Sequence, residues 1–415
     1  MMFSFLPTLK ISHCHPDFVE IVYKLADNYR LDLIEYVVEF GCEDVDSFLR
    51  GIYKVQLEGY RDGHKIKTHI IMKWHPDPKM RAGFRTAYHR EYVFYRHIMP
   101  KLLKLQRGFK NMEGLKIKFP NCVFASAEYD KESIAVHDLQ KSGFRIRDRF
   151  YKTDLSHVTL VMKNMAKLHA LAFALAKTNP NDFAKISALC FKDVQYSSPG
   201  PVPDTMKSFY DASVEVVIDK VAKDKLKKFG PHIMSILYKC SQPNAYSTVC
   251  HADCWNNNIF FKYWKHRPID VIFVDYQLTR IASPVTDISY FLYMSTDSNF
   301  LSEHYDRVLD IYYGTLSAVL RECNLDVNLI YPKHIFQKHL REYTVLGLIE
   351  ALVSMMIITA ENEEALKMTE IKYDYCNEKI YEDEQQDRSL FIQRVNGVVS
   401  DFFKRNYSLY SVLNN

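Results

Sequence analysis

The sequence predicts an α+β protein of two lobes, a small N-terminal one built on antiparallel strands and a larger, mainly helical C-terminal one. Three observations carry this reading. Residues 52–74 hold two strand-like runs joined at an Asp-Gly turn. From about Leu155 the apolar residues recur at helical spacing, beginning with VTLVMKNMAKLHALAFALA. The change of pattern falls near residue 140, dividing the chain into 1–138 and 139–415 as two lobes of one domain.

Taken in order, the first 40 residues read as helical and end at Gly41. Ile52 to Glu58, IYKVQLE, alternates apolar and polar residues as a half-buried strand does. Arg61-Asp62-Gly63 supplies a turn, and Thr68 to Trp74, THIIMKW, the returning strand. Arg81 to Pro100 reads as a long helix with Phe84, Tyr88, Tyr92, Tyr95 and Met99 on its apolar stripe. Glu91 shares that stripe, and an inward-facing carboxylate needs a cation. Lys73, alone among apolar residues in IIMKW, is the candidate; the bland alternative is a Glu at the surface edge. Ser133 to Leu139 is a further strand, and short strands at Asn258–Lys262 and Ile269–Asp275 interrupt the helical half. Val345 to Ala360 is the longest apolar run; it contains Glu350 and falls short of a comfortable membrane span, so it reads as a buried helix.

Composition narrows the class. The chain has 415 residues, 47% hydrophobic and 25% charged, and a net charge of +4 that is spread rather than blocked. A nucleic-acid protein would need a concentrated basic footprint, so that class is set aside. Nine cysteines run from Cys14 to Cys376 without CxxC pairs or regular spacing, so no zinc or disulfide framework is visible. Buried free thiols in a reducing compartment are expected instead. The start, MMFSFLPTLK, lacks a positive n-region and a long apolar stretch. Cytoplasmic residence without a membrane span is the expectation.

The chemistry-bearing stretch is VCHADCWNNNIFF, residues 249–261. His251, Asp253 and Asn258 form H-x-D-x-x-x-x-N, and the apolar run PIDVIFVDYQ then ends in Asp275 with Gln277 beyond it. His-x-Asp by itself has little specificity, since lone His and Asp residues are usually loop or cap residues. The full set suits phosphoryl transfer: one Asp takes or orients the proton of an attacking hydroxyl, while an Asn and a second Asp offer hard oxygens to Mg2+. Lys73 on a strand and Glu91 on a helix, upstream and in the right order, add the pair that holds nucleotide phosphates. Together they point to a kinase-type fold. Asn256 and Asn257 read as loop hydrogen-bonders, and His169 as a hydrogen-bonded core histidine.

The chain also resembles the ecdysteroid-kinase-like proteins of insects, within the choline kinase and aminoglycoside phosphotransferase superfamily. The likeness runs from about residue 40 to the end. It rests on FRTAYHREYVFYRHIMP (84–100), FPNCVFASAEY (119–129), VHDLQKSGF (136–144), MAKLHALAFAL (165–175), HADCWNNNIFF (251–261) and VDYQLTRIASPVTDISYFLY (274–293). Protein kinases carry DFG where this chain has DYQ.

The resemblance implies a bilobal protein-kinase-like fold using ATP and Mg2+. It makes Asp253 the catalytic base, Asn258 and Asp275 the metal ligands, and Lys73 with Glu91 the phosphate-binding pair. Val136, His137, Asp138 and Leu139 become the hinge that reads adenine through backbone groups. His251 buttresses the loop, and Asp287 ties the following helix to it. The local sequence supports a helix start there, with Ser283 as N-cap and Pro284 in first position.

Three departures stand out. Ala252 replaces the family's glycine in HGD, which matters if the backbone needs a positive φ. The nucleotide-covering stretch GCEDVDSFLRG (41–51) is poor in glycine and carries Glu43, Asp44 and Asp46. His137 stands where the family has a hinge Glu.

The expected activity is therefore an ATP- and Mg-dependent kinase acting on a hydroxyl of a small lipophilic alcohol, an ecdysteroid or a xenobiotic. Two alternatives stay open. One is a catalytically weak pseudokinase that binds without transferring; the other is a kinase for a choline- or aminoglycoside-like cation, which would need an acidic acceptor pocket, whereas the acidic run Tyr381-Glu382-Asp383-Glu384 reads rather as a solvated charge run.

Overall fold

The computed structural model describes residues 15–40, 51–75, 78–109, 113–151, 153–190, 201–361 and 388–413. The smaller lobe is a five-stranded antiparallel sheet ordered β1-β2-β3-β5-β4. Its strands are β1 (Asp32–Phe40), β2 (Ile52–Arg61), β3 (His64–Lys73), β4 (Cys122–Ser126) and β5 (Ser133–His137). Asp62 and Gly63 take φ values of 52° and 77°, the paired positive angles of a tight hairpin turn. Pairing therefore starts at Arg61↔His64, and both strands run longer than their apolar alternation suggests.

The first 40 residues are not all helical. α1 (Pro16–Asn28) ends where Arg30 turns left-handed at φ 50°, and Asp32–Phe40 becomes β1 along β2. The run DLIEYVVEF is β-branched and aromatic, and pairing with an open sheet edge overrides any helical reading. α1 covers the sheet, burying Phe18, Ile21, Val22 and Leu25 against Val38, Val55, Leu57 and Ile70. Each such side chain contributes about 1.5–3 kcal/mol.

The helix expected over Arg81–Pro100 is α2 (Pro78–Val93), a π-turn at Phe94–Ile98, and α3 (Met99–Gln106). Pro100 has no N–H to continue the α-helical ladder, and the Met99 N–H reaches back five residues to the Phe94 carbonyl. The extra residue slides the buried stripe. Tyr88, Phe94, Tyr95 and Ile98 are buried, whereas Phe84, Tyr92 and Met99 are half-buried.

The larger lobe is helical. α4 (Leu155–Thr178) is followed by α5 (Pro180–Cys190), α6 (Pro201–Glu215), α7 (Lys220–Phe229), α8 (Ile233–Cys240), α9 (Val285–Ser295), α10 (Ser298–Glu322), α11 (Val327–Ile330), α12 (Lys333–Thr359) and a last helix, Ser389–Lys404. α4 and α12 are long and apolar enough to cross a membrane, but 78% and 72% of their most apolar stretches are buried within the protein. They are core helices, and α12 is longer than the apolar run within it.

Two small sheets carry the chemistry-bearing segments. β6 (Phe144–Ile146), β8 (Ile259–Trp264) and β9 (Arg267–Phe273) form one; β7 (Thr248–Cys250) and β10 (Arg280–Ala282) form the other. β9 stops at Phe273, so Asp275 lies beyond the strand rather than at its end. Six described cysteines, Cys122, Cys190, Cys240, Cys250, Cys254 and Cys323, are free thiols. Cys14, Cys42 and Cys376 lie outside the described residues, as do residues 41–50 of the covering stretch and the acidic run 381–384.

Candidate active site

The segment between β7 and β8 is a buried loop with one opening. From Thr248 to Ile259, Asp253 is the residue that is not buried. The loop is held from below by Asp287, in the first turn of α9. One Asp287 oxygen accepts the His251 N–H at 2.7 Å, and the other accepts the Ala252 N–H at 2.8 Å. Ala252 has φ 69°, so the condition that made its side chain a concern is met. His169 adds a third contact to Asp287 at 3.1 Å and pairs with the Tyr312 hydroxyl at 2.7 Å. Burial alone would raise the Asp287 carboxyl, but the His169 hydrogen bond and nearby charge hold it below its ordinary value.

His251 does structural work. Its Nε2 lies 2.9 Å from the Val274 carbonyl, and its Nδ1 accepts the Asp253 N–H at 3.3 Å. Those two bonds define a neutral ring, and burial lowers its pKa. Asp253 is gripped on both oxygens: the Tyr290 hydroxyl donates to Oδ1 at 2.7 Å and the Asn258 amide to Oδ2 at 2.9 Å. Burial and the neighbouring Asp275 charge push Asp253 up to about 8, while Tyr290 and Asn258 oppose the rise.

Lys73, at the end of β3, bridges the two lobes. Its Nζ donates to Glu91 on α2 at 2.8 Å and to Asp275 at 2.7 Å. Burial would push Lys73 down, but Asp275 and then Glu91 outweigh it and hold the ammonium above its ordinary value. Glu91 moves up because burial and Asp275 outweigh the pull of Lys73. Asp275 itself sits at φ 67°, in the left-handed region that favours glycine.

These side chains form a donor set suited to a hard cation. Asn258 uses its amide nitrogen on Asp253, which leaves its carbonyl oxygen for a metal; Asp275 gives one oxygen to Lys73 and keeps the other. The residues present fit Mg2+.

At the hinge the structure is more selective than the sequence. Val136 lies inside β5, paired with Ile71 and Cys122. The N–H groups of His137 and Asp138 are committed to the carbonyls of Asn121 and His69. The His137 ring pairs with the Tyr29 hydroxyl at 2.7 Å, and the Asp138 carboxylate caps the turn at Gln140. Leu139 packs with Phe144, Ile272, Phe260 and Val274, a small apolar cluster apart from both main cores. That cluster was invisible in the sequence because its members come from three separated segments.

Sequence reading also missed Tyr290 and the bond from Lys73 to Asp275. Tyr290 had a usable signal, since it lies three residues beyond Asp287 on a helix and so on the same face. The α9 start differs by one residue: Pro284 takes the cap position, and the Ser283 hydroxyl lies 2.8 Å from His339 and 3.4 Å from the Val285 N–H.

The two-lobed α+β fold, with its strand lysine, helix glutamate and aspartate–asparagine loop, is of the kinase-like class. The model of the ecdysteroid kinase-like family matches residues 44–325, well over half the chain, and the chain belongs to that family. Among solved structures it is similar to spectinomycin phosphotransferase in complex with ADP and spectinomycin, at 13% identity over 94% of this chain and 98% of the other, with a TM-score of 0.42. It is also similar to choline kinase from Cryptosporidium parvum Iowa II, at 12% identity over 96% and 100% of the two chains, TM-score 0.43. No curated protein matches it.

Proposed function

We propose that this protein transfers the γ-phosphoryl group of ATP, with Mg2+, to a hydroxyl of a small lipophilic alcohol such as an ecdysteroid or xenobiotic. One observation carries the reading: Lys73, Glu91 and Asp275 meet within 2.8 Å although they come from β3, α2 and the turn after β9. Three charged groups converging in a nearly buried position are costly unless they serve a ligand.

In this reading Asp253 accepts the proton of the acceptor hydroxyl as its oxygen attacks the γ-phosphorus, and ADP leaves. Its lifted pKa suits a base working near neutral pH. Lys73 neutralises phosphate oxygens, and Glu91 fixes the lysine's position. Asn258 and Asp275 would hold Mg2+, which would supply charge neutralisation on the phosphates. Leu139 offers the hinge N–H to adenine, over the apolar floor of Phe144 and Ile272. Residence in the cytoplasm goes with the free thiols.

A second reading, a binding protein with little transfer, is favoured by the two protein donors already on Asp253. Thermal denaturation with ATP and Mg2+, followed by a product assay against ecdysteroids, other lipophilic alcohols, choline and aminoglycosides, separates the two. Stabilisation plus phosphorylated alcohol is expected. Stabilisation without product supports the binding protein, and neither effect overturns the kinase reading.

A further inference from the structure

α9 reaches the catalytic loop twice. Asp287 takes two backbone N–H groups of the loop, and Tyr290, one turn further along the same face, takes the side chain of the next residue. We propose that Tyr290 is a positioning residue that fixes the rotamer of Asp253 for proton abstraction, an assignment that rests on the kinase reading above.

The geometry supports this in three ways. The hydroxyl-to-carboxylate distance of 2.7 Å is that of a well-formed O–H···O hydrogen bond. Tyr290 is itself buried, and it stands on a helix whose every residue from Val285 to Ser295 is buried, so its ring has little freedom. With Asn258 on the other oxygen, the carboxylate plane is defined by two donors from two elements, a loop and a helix. Each carboxylate oxygen retains a lone pair for an acceptor hydroxyl.

The test is Tyr290→Phe, which keeps the ring and removes the hydroxyl. Tyr293→Phe, one turn on and bonded to Asp401 at 3.1 Å, is the control for loss of a buried hydroxyl in the same helix. With ATP, Mg2+ and the best acceptor found for the parent, Tyr290→Phe is expected to lower kcat roughly tenfold or more while KM for ATP changes less than about twofold. Tyr293→Phe should leave kcat near the parent value. In an Asp253→Asn background, Tyr290→Phe should cause no further loss, because the group it positions is gone. An unchanged or increased kcat, an equal loss in Tyr293→Phe, or an additive loss in the double variant overturns the assignment. A parent protein that phosphorylates no acceptor removes the kinase reading and this role with it, whereas an active parent with an unaffected Tyr290→Phe removes this role alone.

Discussion

Asp287 Oδ1 lies 2.8 Å from the backbone nitrogen of Ala252, and Ala252 is left-handed at φ 69°. An L-residue in that conformation costs about 1–2 kcal/mol. The bond compensates, since a buried N–H without a partner costs a similar amount. Replacing Ala252 by glycine relieves the strain but removes a buried methyl group worth ~0.8 kcal/mol. The two nearly cancel, with the strain slightly larger. Ala252→Gly should therefore melt at or just above the parent temperature, with turnover equal or modestly higher. A clear drop in melting temperature would mean that the methyl packs better than its strain costs.

Asp287→Ala leaves both loop N–H groups and His169 without their acceptor. A loss of about 3 kcal/mol or more is expected in chemical denaturation, with phosphorylation abolished. The parent has a matching acid sensitivity. Because the folded-state pKa of Asp287 is lowered, its stabilisation is present above the unfolded-state value and fades as pH falls through the folded one. Stability profiles of parent and Asp287→Ala should converge in acid, and parallel profiles would argue against this role.

Asp253 behaves in the opposite sense. Its pKa of about 8 lies above the unfolded value, so the folded form binds the proton more tightly and stability declines as pH rises from about 4 to about 8. Asp253→Asn should raise the melting temperature at pH 8 more than at pH 5, while lowering turnover roughly 10²–10⁴-fold. An equal gain at both pH values would show that the ionised carboxylate carries no such cost.

Lys73→Met leaves Glu91 and Asp275 facing each other unpaired. Breaking such a buried pair costs roughly 3–5 kcal/mol. Glu91, already raised by burial, can take up a proton and place the loss at the low end. The defect should shrink in mild acid, and calorimetry should show ATP affinity reduced at least about tenfold. Unchanged ATP affinity would sink the phosphate-binding role.

Gly347 lets α12 lie close against α9. A Cβ placed there meets the carbonyl carbon of Ser289 at 2.5 Å. Gly347→Ala should cost about 1–3 kcal/mol and disturb turnover, because Ser289 lies between Asp287 and Tyr290. Ser289→Ala should not rescue it, since the obstruction is backbone; rescue would place the conflict in the Ser289 side chain instead.

The candidate site was legible as residue types at set spacings. His251, Asp253, Asn258 and Asp275 lie within one stretch of chain, where spacing constrains geometry. The β2–β3 hairpin was legible for the same reason, because Asp62-Gly63 encodes its own turn. Asp32–Phe40 was misread because a strand's identity depends on the edge it pairs with, here β2. The π-turn escaped because its cause, Pro100, acts on the residues before it.

By itself the sequence determined the two-lobed α+β class, the kinase-type residue set and the family resemblance, since these follow from local pattern and order. Only the tertiary structure decided how the set is held: Lys73 reaching from the smaller lobe to Asp275, Tyr290 and Asn258 sharing the two oxygens of Asp253, and Asp287 anchoring a left-handed Ala252. Those contacts join residues up to 202 positions apart. Their distances are set by the packing of α9 and α12 and by the meeting of the lobes, which no local spacing encodes.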